Sequence, residues 1–134
     1  MLALVVRFEI KEGCVDAFDR LVQRTLDGIR SEEDGTLMYV SSRVAEGATS
    51  RVFVEIYRDK EAFTAHEECE HTRAFLRDRE QLLESYRVEF LTPIDGKFPS
   101  WQARLTHRGI VQRSNFVNKN LGVFAEHDGP DMSN

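Results

Sequence analysis

The sequence predicts an α+β domain over residues 1–96, an antiparallel sheet with two helices on one face. Two observations predict it. Period-2 alternation marks four segments, at 2–10, 36–44, 51–58 and 86–92. Helical apolar stripes fill the stretch after the first of these and the stretch after the third. The order strand, helix, strand, strand, helix, strand is the split β-α-β-β-α-β arrangement of ferredoxin-like domains.

Leu4, Val6, Phe8 and Ile10 point to one side of the first strand, and Ala3, Val5, Arg7 and Glu9 to the other. Lys11-Glu12-Gly13 turns the chain. Over 15–30, Val15, Phe18, Leu21, Val22, Leu26 and Ile29 share one helical stripe, with Asp16 and Asp19 near the start, where the helix dipole favours acids. Ser31-Glu32-Glu33-Asp34-Gly35 ends that helix, with Gly35 expected in a left-handed turn. The second and third strands are joined by a hairpin connection at 46–50. Asp59 is placed to cap a helix beginning Lys60-Glu61-Ala62-Phe63, and the stripe is interrupted around 68–71. The last strand stops at Pro93.

Alternation also assigns faces. The helices are expected over Leu4, Val6, Phe8, Val40, Val52, Val54, Ile56, Val88 and Phe90. The other face would then carry Arg7, Tyr39, Phe53, Glu55 and Tyr57, aromatic residues set among charges. An apolar patch of that kind usually marks an interface, so a homodimer through this face is expected. Arg7, Glu9, Glu55 and Arg87 would form an ion-pair network across the facing sheets.

Composition narrows the function classes. A net charge of −5 argues against a general nucleic-acid partner. No apolar run is long enough to span a bilayer, and the N-terminus alternates like a strand rather than a leader. Two cysteines at no zinc or redox spacing fit a cytoplasmic setting. Residues 97–120 carry Lys97, Arg104, Arg108, Arg113 and Lys119 with no acid, so 97–134 is expected to be a separate C-terminal extension. Its apolar residues, Trp101 and Phe116 among them, are expected to pack across a dimer or over a cleft, with the end mobile.

The run from Phe53 to His66, followed by His71 and Ala74-Phe75, carries a more specific signal. Glu55, Tyr57, Asp59, Ala62, Phe63, His66, His71, Ala74 and Phe75 resemble the motif of the antibiotic biosynthesis monooxygenase (ABM) domain family. Lys11-Glu12-Gly13 and Gly35-Thr36-Leu37-Met38-Tyr39 agree with it, so the resemblance covers about residues 2–92. It implies a dimeric α+β barrel built by two facing sheets. It also implies a cofactor-independent monooxygenase that oxidises a quinol or polycyclic phenol with dioxygen, the substrate supplying the electrons. The sequence departs from the family's pattern in places. Glu70 stands where the motif has Pro before its second His, and the first strand offers Arg7 and Glu9 rather than the Asn of the haem-degrading branch. His66 stands where that branch has a Trp, and the Asn and Trp pair of some polyketide-oxidising members is also absent from that helix. Haem degradation is therefore disfavoured.

Phenol deprotonation needs a base that works near neutral pH, and histidine is the usual one. His66, one turn after Phe63, is the expected base, with Val6, Phe8, Met38, Phe63, His71 and Phe75 lining the substrate cleft. The other reading of His71, which the residues favour, is that it caps or braces the helix break. No metal is expected, because His66, Glu67, Glu70 and His71 do not share one helical face. Cys69 reads as a small packed side chain rather than a reactive thiol. Two other function classes stay open on the same residues: a non-oxidative isomerase of a small oxygenated metabolite, and a ligand-binding dimer without turnover.

Overall fold

A computed structural model describes residues 1–98. Its elements are β1 (Leu2–Ile10), α1 (Val15–Glu32), β2 (Thr36–Val44), β3 (Gly47–Tyr57), α2 (Lys60–Glu68), α3 (Glu70–Asp78), a 3₁₀ turn at Glu80–Leu82 and β4 (Leu83–Leu91). The four strands form one antiparallel sheet in the order β2-β3-β1-β4, the ferredoxin-like α+β arrangement. Met1–Thr92 make one compact unit, and Pro93–Asn134 make a second. The expected packing of the extension concerns residues outside the described ones. Among the described residues no helix is long and apolar enough to cross a membrane.

Short-range chemistry sets the element ends. Gly13 has φ +83°, the only positive φ among the described residues, and turns β1 towards α1 at no steric cost. Gly35 is not left-handed, contrary to the sequence expectation. Its missing side chain matters for another reason: a Cβ there would lie 2.6 Å from that of Ala62, so glycine lets β2 start close under α2. The β2–β3 hairpin is tighter than expected, with β3 already begun at Gly47. Asp59 caps α2 by accepting from the Ala62 N–H at 2.7 Å.

The faces of β2 and β3 are the reverse of the sequence assignment. In the ladder Val6 lies opposite Phe53 and Val88, and Leu4 opposite Glu55 and Phe90. Residues directly opposite share a face, so Phe53, Glu55 and Tyr57 stand on the helix side with Leu4, Val6 and Phe8. Tyr39, opposite Glu55, joins them. Val52, Val54 and Ile56 point the other way, beside Ala3, Val5 and Arg7. The reason is volume. Phe8, Phe18, Phe53 and Tyr57 are the largest fully buried side chains, and they fill the layer between sheet and helices. Each contributes about 1.5–3 kcal/mol by leaving water, more than a valine in its place would.

The expected interface set is corrected accordingly. Of Arg7, Tyr39, Phe53, Glu55 and Tyr57, only Arg7 lies on the face away from the helices. The four-residue ion-pair network does not form. Arg7 pairs with Glu9 at 2.7 Å, while Glu55 is buried on the opposite side of the sheet and bonds to Tyr57. A different, half-buried ion pair ties α1 to the sheet: Arg51 grips Asp19 with two N–H donors, at 3.0 and 2.8 Å.

Candidate functional site

α2 and α3 pack over the Leu4–Val6–Phe8 stripe of β1, and the end of α1 meets them through His66 and His71. α2 carries Phe63 and His66 over Tyr57, with both ring centroids 5.2 Å from the tyrosine ring. The helix then breaks at Cys69, whose backbone is extended (φ −64°, ψ 141°) and whose N–H bonds to the Ala65 and His66 carbonyls. No proline is needed for this break. The chain re-enters as α3, which brings Thr72, Phe75 and Leu76 back along the sheet and ends at Arg79. α1 contributes Glu33, its C-terminal cap.

Glu33 is the hub. His66 Nδ1 lies 2.9 and 3.0 Å from its two carboxylate oxygens, and His71 Nε2 and the Thr36 hydroxyl bond to the same group. The Glu33 and His66 side chains are only 5% and 6% exposed. Burial pushes the Glu33 carboxyl up, but the hydrogen bonds from His66, Thr36 and His71 overcome it and hold its pKa at about 2. An ionised carboxylate can only accept, so the network assigns N–H to the facing nitrogen of each imidazole. Nε2 of His66, on the other side of the ring, has no partner among the described residues. The ring itself lines a cavity. A histidine oriented by a buried carboxylate through Nδ1 is equipped to take a proton at Nε2.

The cavity holds about 150 Å³, and its walls include Leu4, Val6, Phe8, Tyr39, Phe63 and Phe75. A dry cavity of that size accommodates a benzene-sized ring. Leu76 and Phe90 also line it and are 36% and 60% exposed, which places the mouth between α3 and β4. Inside, Glu55 is 5% exposed and accepts from the Tyr57 hydroxyl at 2.7 Å. Burial pushes the Glu55 carboxyl up, against the lowering effect of that bond. Burial and the neighbouring Glu55 in turn push the Tyr39 and Tyr57 hydroxyls up, so both stay protonated donors.

Arg79 closes the far end. Its guanidinium carbon lies 4.5 Å from the Tyr86 ring centroid and 5.5 Å from those of Phe8 and Phe75. Its Nε is buried with no hydrogen-bond partner, the only such buried side-chain atom among the described residues. Burial pulls its pKa down from the usual arginine value, and an unmet buried donor costs about 1–3 kcal/mol.

Of the residues expected from sequence, His66, Val6, Phe8, Phe63 and Phe75 come together on this cavity. Met38 does not. It pairs with Ile56 and lies outside the lining, because β2 presents the opposite side chains to the helices. His71 also lies outside it, drawn to Glu33 on the α1 side. Sequence reasoning missed Glu33, whose place in an acidic helix end looks like solvated surface, and Arg79, set in an alternating run of charges. Glu55 and Tyr39 were named for the wrong face.

The triad also bears on metal. The donor atoms of Glu33, His66 and His71 lie within 4.8 Å of one another. Two imidazoles and a carboxylate are a donor set that suits zinc or iron. The partner acid is Glu33, not the Glu67 or Glu70 suggested by the sequence, so helical spacing alone was the wrong test for such a cluster.

Comparison with known proteins agrees with this architecture. The solved structure of Rv0793 from Mycobacterium tuberculosis superposes with a TM-score of 0.68 at 26% identity, over 72% of this chain and 98% of that one. PA3566 from Pseudomonas aeruginosa gives a TM-score of 0.62 at 26% identity, over 67% and 90%. A candidate monooxygenase from Lactobacillus acidophilus gives 0.65 at 19% identity over 68% of this chain, which spans only 43% of that longer protein. No protein of curated function matches the sequence. Residues 1–78, more than half of the chain, match the family model described as antibiotic biosynthesis monooxygenase. With that match and this fold, the chain belongs to the antibiotic biosynthesis monooxygenase family.

Proposed function

We propose that the protein is a cofactor-independent monooxygenase that oxidises a small quinol or related phenol with dioxygen. The observation that carries this is His66, held through Nδ1 by an ionised buried carboxylate on the wall of an aromatic cavity. In this reading His66 Nε2 removes the phenolic proton, and Glu33 stabilises the imidazolium that forms. The apolar walls leave the resulting anion poorly solvated and ready to give electrons to dioxygen. One oxygen atom enters the ring and the other leaves as water, so a quinol and dioxygen become a hydroxyquinone and water without an external reductant. The cavity volume favours one or two rings over a larger polycycle.

The test is dioxygen uptake with a panel of hydroquinones and anthrones. Uptake is expected to persist in a chelator and to fall at least 100-fold in His66→Ala, in line with the usual contribution of a general base. Full activity in His66→Ala would remove the base assignment. Chelator-sensitive uptake would instead assign Glu33, His66 and His71 to a metal, the reading their 4.8 Å clustering supports.

A further inference from the structure

We infer that Arg79 reads an anionic group on the ligand: the cavity takes an aromatic molecule with a hydroxyl at the His66 end and a carboxylate, or comparable oxyanion, at the other. This rests on the cavity being a site for a phenolic ring.

The two ends are set by the strands. His66 packs against Tyr57 and Tyr39, which belong to the Leu2–Leu4 end of β1. Arg79 stacks on Phe8 and on Tyr86, the residue opposite Phe8. Leu4 and Phe8 are four residues apart, roughly 13 Å along a strand. Both line the cavity, and so do His66 and Arg79. A ligand lying along β1 can therefore meet the base and the cation together.

Packing alone accounts for a stacked arginine whose charged head reaches water. It does not account for a buried Nε–H with nothing to bond to. Among the described residues the Arg79 side chain makes no hydrogen bond or ion pair; three aromatic faces hold it in place without meeting its buried Nε–H. A guanidinium fixed in this way keeps its planar fork free for a carboxylate. Glu80 and Glu55 are the acids that act on it most strongly. Glu55 is committed to Tyr57 and Tyr39, and burial favours its neutral form, so it does not take the place of a ligand anion.

The probes are 6-hydroxy-2-naphthoate and 2-naphthol, which differ by one carboxylate, with binding to the full chain followed by titration calorimetry. The native protein is expected to bind the carboxylate at least 10-fold more tightly, the effect of one charge-assisted pair. Arg79→Met keeps the stacked stem without the charge. It should abolish that preference, read as the ratio of the two affinities, and Arg79→Gln should do the same if the methionine variant fails to fold. Equal affinity of the native protein for both probes, absence of binding by either, or a preference that survives both variants would overturn the inference. If the preference holds but no hydroquinone drives dioxygen uptake, the oxidation reading falls and the anion subsite stands. If uptake is normal and the preference is absent, only the role of Arg79 is lost.

Discussion

Glu33 is the residue whose chemistry differs most from its appearance in sequence. Its folded pKa, about 2, lies below the ordinary carboxylate value of 4.5. The unfolded chain therefore binds the proton more readily than the native one. The resulting stability is present above pH 4.5 and is lost as pH falls from 4.5 towards 2. Its size is about 3 kcal/mol. Acid unfolding of the native protein should thus steepen in that window, and Glu33→Gln should flatten it while lowering stability at pH 7. An unchanged acid limb, measured by circular dichroism, would mean that the carboxylate is not ionised in the fold. His66 was legible from sequence because its spacing from Phe63 puts both on one helical face. Its orienting acid was not, since Glu33 lies 33 positions away on another helix.

Between α1 and α3 the contact depends on a glycine. A Cβ at Gly28 would lie 2.4 Å from the His71 ring, closer than real side chains approach. Gly28→Ala should push His71 off the Glu33 carboxylate and destabilise the fold by about 1–3 kcal/mol, the usual cost of overpacking. A melting temperature unchanged to within a degree would show that the ring relocates freely. Much at this scale was written in the chain. The strand ranges, the Asp59 cap and the interruption near Cys69 all follow from local pattern, and the structure has them within a few residues. The faces of β2 and β3 were not legible, because each of these strands is apolar on both sides. In β3 one set is valine and isoleucine and the other is Phe53 and Tyr57 with Glu55 between them. A lone acid reads as solvent-facing, yet here it is satisfied inside by a tyrosine hydroxyl.

For the whole molecule, the corrected faces move the expected homodimer contact rather than remove its motive. The side of the sheet away from the helices carries Val52, Val54 and Ile56 with the Arg7–Glu9 pair. A second copy seated there remains our proposal, and light scattering should then give twice the mass of the chain. Val54→Asp should shift that mass to the monomer, because two like charges would face each other across an isologous contact. A native monomer would rule the dimer out. Tyr39, Phe53 and Tyr57 are freed from that role and serve the cavity side instead.

By itself the sequence determined the order of elements, the α+β class and the placing of His66 with Phe8, Phe63 and Phe75 on one layer. These are properties of period and local chemistry, which neighbouring residues decide among themselves. Only the tertiary structure decided which acid holds His66, which face of β3 meets the helices and where Arg79 ends. Each of those depends on strand register and on helix ends brought together from distant parts of the chain. Side-chain volume and unmet hydrogen-bond donors select among such arrangements, and neither has a periodicity to read.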